Sequence, residues 1–191
     1  MTGFAGFDRS QYPGRVVMDW LKTNTDLKWC GYYLAPAPSH GDASWMDAQS
    51  DDFDGWGFAP IYVGRQVVGP GSHLVTEANG TLDGAAACGL MSDAGFDPGT
   101  FLWLDLENGP PFTEAQKLYV GAWVDAVKAG GYGPGVYCSF LFAAEVAALR
   151  PEARIWVFHV RTVSPHAVPG EDFPTPDPTT SGYAEAKIWQ R

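Results

Sequence analysis

A chain of 191 residues that is 46% hydrophobic and 18% charged is globular, and it is long enough for one domain, residues 1–191, with a sizeable core. A net charge of −10 with no Lys/Arg cluster excludes the basic stripe that nucleic acid or an anionic membrane surface requires. A neutral, weakly charged or cationic substrate suits such a chain.

The elements follow a repeated strand–helix rhythm. "FAGFD" (4–8) reads as a short strand ending in Asp8, and the stretch from Pro13 to Thr23 carries Val16, Val17, Trp20 and Leu21 at helical spacing. "KWCGYYLA" (28–35) is a second strand, stopped by Pro36 and Pro38. "SWMDAQSDDFDGW" is a weak acidic helix or loop, and "FAPIYVGRQVV" (58–68) a third strand. Residues 81–95 form a helix rich in small residues, suited to lying close against a sheet. Gly84 and Gly89 weaken its regularity, and Gly95 terminates it. Asn79-Gly80-Thr81 matches a glycosylation sequon but reads better as a helix cap. A fourth strand spans 100–107. Thr113 and Gln116 form a capping-box pair opening a helix with an i, i+3, i+4, i+7 stripe from Ala115 to Val127, which Gly130-Gly131 ends. "GVYCSF" (135–140), "LFAAEVAAL" (141–149) and "RIWVFHV" (154–160) supply a fifth strand, a helix and a sixth strand. Residues 161–182 hold five prolines and admit no helix, and "AKIWQR" closes the chain as a last short strand.

Strands alternating with amphipathic helices predict a parallel sheet covered by helices, either an open doubly wound sheet or a closed barrel. No G-x-G-x-x-G follows the first strand, no Walker loop is present, and "GGYGPG" precedes a strand, so it is a turn. The expectation is therefore an α/β fold, an irregular TIM-like (β/α) barrel that lacks several late helices around 161–182. Cys30, Cys88 and Cys138 sit in apolar stretches without metal spacing and read as free thiols, a single disulfide being the alternative. His40, His73 and His166 lie in polar loops without partner spacing.

The chemistry concentrates in "FLWLDLEN" (101–108). Strand alternation puts Leu102, Leu104 and Leu106 on one face and Phe101, Trp103, Asp105 and Glu107 on the other. Two carboxylates on one face repel each other, which a purely structural strand has no use for. Asp8 ends the first strand, and parallel α/β sheets build their sites at such C-terminal strand ends.

In order and spacing, "GFD", "D-L-E", "GVYCS", "IWVF" and the closing "WQ" resemble the lysozyme-type family 25 glycoside hydrolases. "WCGYYLA", "GFAPIYVGRQ", "DGAAA" and "LYVGAWVDAVKAGGYGPGVYCS" look closer to a bacterial glycoside hydrolase-like family of unknown function, a distant relative of those muramidases. The resemblance covers about residues 4–190. It implies an irregular β/α barrel with a rim site built around Asp8, Asp105 and Glu107. It also implies a polysaccharide or oligosaccharide substrate bearing 2-acetamido sugars, and an extracellular or cell-wall-directed location. Phe158 departs from the small residue common in muramidases at the sixth strand, and His159 from the polar residue expected next. No charged-plus-apolar leader opens the sequence, so an export signal is expected to have been removed or never present.

Glycoside cleavage needs a protonated carboxyl for the leaving oxygen and a charged one for the oxocarbenium-like state. Glu107, longer and nearer the strand end, is assigned as general acid and Asp105 as its charged partner, with Asp8 tuning Glu107 or positioning sugar or water. Tyr62 and Tyr137 either contact sugar or pack the interior. Arg65 pairs Asp105, a substrate or a structural partner. Trp189 is core or sugar platform, and His159 a site member or a barrel-end residue. No cofactor is expected, and the chain is expected to act as a monomer. Two alternatives stand beside the hydrolase: a carbohydrate-binding pseudoenzyme with the same pocket, and a metal-dependent phosphodiesterase, which needs more oxygen ligands and a catalytic histidine.

Overall fold

The computed structural model describes residues 3–69, 74–159 and 175–190. Seven strands lie in chain order in one sheet, every neighbouring pair parallel: β1 (Gly6–Phe7), β2 (Trp29–Tyr33), β3 (Gly57–Val63), β4 (Phe101–Asp105), β5 (Gly133–Ser139), β6 (Arg154–Phe158) and β7 (Ile188–Gln190). The connections carry α1 (Arg15–Asn24), the short α2 (Ser44–Asp47), α3 (Glu77–Asp93), α4 (Glu114–Ala129) and α5 (Ala143–Leu149). The result is an α/β fold whose sheet curls into a half-barrel. Among the described residues β7 and β1 form no ladder, so the closed barrel expected from the sequence is not seen. Side chains instead span the two edges: Gln190 Nε2 donates to both carboxyl oxygens of Asp8, at 3.3 and 3.4 Å.

The strands form where alternation and β-branched or aromatic residues predicted them, with shorter ends. β3 stops at Val63 rather than 68, because Gly64–Val68 turns away over the end of the sheet. Residues 160–174, most of the Pro-rich stretch, lie outside the described residues, as do His73 and His166. Between β6 and β7 the described residues form only a short 3₁₀ turn at Pro178–Thr180.

The concave interior is aromatic. Trp156 on β6 meets Trp29 on β2 edge-on at 5.5 Å, Trp103 on β4 at 5.7 Å and Tyr137 on β5 at 5.4 Å. Such T-shaped contacts place ring edges on ring faces and pack the inside of the curl. Below them the Arg154 guanidinium stacks 3.6 Å over the Phe101 ring.

On the convex side α3 and α4 pack closely. The helix predicted from residue 81 starts at Glu77. Its cap is Thr76, whose hydroxyl accepts from Asn79 N–H at 3.2 Å, and not the Asn79-Gly80-Thr81 stretch. Its small residues serve α4 more than the sheet: a Cβ on Gly80 would sit 2.3 Å from the Tyr119 carbonyl oxygen. The capping box of Thr113 and Gln116 forms as predicted. The three cysteines are free, Cys30 and Cys138 buried and Cys88 half-buried.

Candidate functional site

The C-terminal ends of the strands converge on a small solvent-open cleft of about 40 Å³, lined by Asp8, Tyr33, Ile61, Asp105, Glu107, Tyr137, Trp156 and Gln190. Each lining side chain is aimed by its strand. Tyr33 and Gln190 are the last residues of β2 and β7, and Asp8 directly follows β1. Asp105 ends β4 and stands in register with Val63 on β3 and Tyr137 on β5. Gly31 makes room for Asp8: a Cβ there would lie 2.9 Å from the Asp8 Cβ.

The acids differ sharply in environment. Asp105 is only 6% exposed, and its Oδ1 is buried without a hydrogen-bond partner. Burial, reinforced by the neighbouring Glu107 and Asp8 charges, pushes its carboxyl well above the usual aspartate range. Asp8 is also pushed up by burial, against which hydrogen bonds from Tyr33 (3.3 Å to Oδ2) and Gln190 work. Tyr137 hydroxyl in turn donates to Gln190 Oε1, so Tyr33, Asp8, Gln190 and Tyr137 form one chain of bonds across the sheet edges. Burial and the same carboxylates raise both phenols.

Glu107 lies just past the ladder and is exposed at the rim. Its backbone N–H donates to Gln66 Oε1 at 3.1 Å. The Gln66 amide donates back to the Asp105 carbonyl at 2.8 Å and to the Gly64 carbonyl at 3.3 Å. This buried amide stitches the loop after β3 to the Asp105–Glu107 segment. Burial thus separates the two acids that length and position had assigned as general acid, Glu107, and charged partner, Asp105. In the chain alone Asp105 is the group whose neutral form is favoured, and Glu107 is the one presented to solvent.

Other predicted site residues separate. Tyr137 lines the cleft. Tyr62 and Arg65 do not: Tyr62 is buried on the opposite face of β3 from Ile61. Arg65 makes a two-pronged ion pair with Asp83 of α3 at 2.8 and 3.2 Å. Tyr119 of α4 joins it, donating to Asp83 Oδ2 at 2.8 Å and accepting from Arg65 N–H at 3.1 Å. This network ties the loop after β3 to both helices. His159 stacks on Phe140 at 3.7 Å and bonds the Ser181 carbonyl through Nδ1. Trp189 falls on the opposite face of β7 from Gln190, and its indole N–H donates to the His159 carbonyl at 3.2 Å. Phe158 packs against Tyr137 at 5.2 Å, beside the cleft.

Sequence reasoning missed Tyr33, Gln66, Trp156 and Gln190 as site residues. Three of them carried a signal, since alternation puts Tyr33 on the Trp29 face, Trp156 opposite Ile155, and Gln190 opposite Trp189. Gln66 follows a strand end in a loop, where no period applies. Among the described residues no group of three or more His, Cys, Asp or Glu is arranged to hold a metal ion.

Residues 19–177 match the family described as "Rv2525c-like, glycoside hydrolase-like domain", a span that includes Asp105 and Glu107. The chain belongs to that family. This Rv2525c-like domain also resembles a crystal structure of an uncharacterized B. stearothermophilus protein, with a TM-score of 0.66 and 22% identity. The match covers 98% of this chain and 89% of the other, and at that identity it speaks to the fold alone. No curated protein matches. Two of the lining residues of the Rv2525c-like domain, Asp8 and Gln190, fall outside the matched span.

Proposed function

We propose that the protein is a glycoside hydrolase acting as a monomer on a cell-wall-type polysaccharide, with Asp105, Glu107 and Asp8 as its working carboxylates. The observation that carries this reading is the burial of Asp105 beside two further acids at the mouth of a parallel sheet. Burial and the neighbouring acids raise the Asp105 carboxyl well above the usual aspartate range, which favours its protonated form. A retained proton next to an ionised carboxylate is what protonating a glycosidic oxygen requires while positive charge develops on the sugar ring. Glu107, at the rim, is the member of the pair within reach of a polymer. That position at the rim suits Glu107 to the role of donor to the leaving oxygen, with Asp105 behind it. Asp8, held by Tyr33 and Gln190, positions the sugar or a water.

Membership of the glycoside hydrolase-like family supports this class of chemistry. Kinship with the family 25 muramidases and their TIM-type barrels, suggested by the "GFD", "D-L-E" and "WQ" signatures, goes further. It would make the substrate a 2-acetamido polymer whose own acetamido group assists cleavage. Digestion of a glycan panel followed by mass spectrometry tests the proposal. The wild type releases oligosaccharides from at least one polymer, and Glu107→Gln lowers the rate by about 10²–10⁴-fold while keeping the fold. A wild type inactive on every glycan would overturn it.

The narrowness of the cleft favours a second reading. The cleft encloses only about 40 Å³, well below the roughly 300 Å³ of a small ligand site, and Asp105 is nearly sealed. A carbohydrate-binding protein without turnover would show saccharide binding that Glu107→Gln leaves uncleaved and no different from wild type.

A further inference from the structure

The acid cleft has a composition that the hydrolase reading does not require. Three carboxylates line it, from the ends of β1 and β4, yet no Lys, Arg or His is among its described lining residues. The nearby Arg65 is tied to Asp83, and Arg154 lies over Phe101 at the other end of the curl. The remaining walls are the Tyr33, Tyr137 and Trp156 rings, with Ile61 and the Gln190 amide. Asp105 is nine-tenths buried, and Oδ1 of this cleft-lining side chain has no partner, a costly arrangement for a polar atom unless a ligand or proton answers it.

We propose that this cleft binds an ammonium group, caged by the Asp8, Asp105 and Glu107 carboxylates and the Tyr33, Tyr137 and Trp156 rings, so that the sugar it selects is a de-N-acetylated hexosamine. Carboxylates supply charge, and aromatic faces attract a partly desolvated cation. A sugar bearing its own carboxylate would meet three like charges and no counter-ion, so the cleft discriminates against acidic sugars by repulsion as well as favouring amines by attraction. The acetamido form of the same sugar brings the bulk without the charge. The inference concerns the ligand of the site assigned above to glycoside hydrolysis. It rests on the carboxylate chemistry of that reading for turnover and takes the place of acetamido-assisted cleavage, while the binding stands without either.

Ammonium binding also has a proton signature. A cation beside Asp105 favours its ionised form and opposes the effect of burial, so Asp105 gives up its proton as the amine enters. The titratable groups facing Asp105 are Asp8, Glu107, Tyr33 and Tyr137, with His40 at 5.3 Å behind the Tyr33 ring. Of these, the two phenols stay protonated throughout.

Isothermal titration calorimetry with chitin-type tetramers tests this. Fully N-acetylated and fully de-N-acetylated forms are compared at about pH 6, where an amine of ordinary pKa is charged. The free-amine tetramer is expected to bind at least about tenfold more tightly, to weaken with added salt, and to show a heat that varies with buffer ionisation because a proton is released. Asp105→Asn and Glu107→Gln should each remove most of the preference, with circular dichroism confirming the fold. If Asp105→Asn does not fold, Glu107→Gln and Asp8→Asn carry the comparison. Equal or tighter binding of the acetylated tetramer, or binding of neither, overturns the proposal. Amine-selective binding with no cleavage of either tetramer upholds it and removes the hydrolase reading. Cleavage of the acetylated form without amine preference does the reverse.

Discussion

Asp105 is a side chain whose burial opposes its charge. Within the fold it keeps a proton that the unfolded chain gives up at about pH 4. Above that pH the folded state therefore binds one proton more than the unfolded state, and the free energy of unfolding falls as pH rises, until the raised pKa of the folded state is passed. Asp105→Asn removes this decline. Urea unfolding should find the variant about 1–2 kcal/mol more stable than wild type near pH 8 and close to wild type near pH 4. A smaller slope of the same sign remains from Asp8, whose carboxyl is also raised. A variant no more stable than wild type at either pH would mean that Asp105 is ionised at no cost. The residue pair itself was legible in "FLWLDLEN", because alternation fixes the face of a side chain without any knowledge of its neighbours. Its acid order was not, since burial depends on Tyr137, Trp156 and Asp8, which come from elsewhere in the chain.

Among the elements, strands were easier to read than helices. The apolar runs around 29–33, 101–105 and 154–158 are continuous because β2, β4 and β6 are covered on both faces, and a parallel sheet demands that. In α3 the glycines looked like flaws in a helix. Gly80 and Gly84 are contact points, since the surface they leave bare is occupied by α4, and one sequence does not show which element will lie against a small residue. The contrast within α3 is testable. Gly80→Ala adds a Cβ 2.3 Å from the Tyr119 carbonyl oxygen, a backbone atom, and should cost about 1–3 kcal/mol in chemical denaturation. Gly89→Ala meets open space and should stabilise by up to about 1 kcal/mol through helix propensity. Equal effects at the two positions would mean that helix propensity, and not the α3–α4 contact, governs both. Arg65, read with its structural ion pair among the options, found that partner on α3; which acid it would choose lay beyond sequence reach.

At the scale of the molecule, the curl of seven parallel strands brings residues 8, 105 and 190 to one place. The parallel sheet followed from the strand–helix rhythm. The half-barrel did not, because the ladder between β7 and β1 is replaced by side-chain bonds from Gln190 to Asp8. This convergence leaves Asp105 with its protonated form favoured beside Glu107. A carbon-13 NMR titration of the Asp105 carboxyl in the full chain, assigned through Asp105→Asn, tests it most directly. The expected midpoint lies well above the ordinary aspartate value of about 3.9 and moves down when Glu107→Gln removes the neighbouring charge. A midpoint at the ordinary value, unmoved by that substitution, would contradict the account.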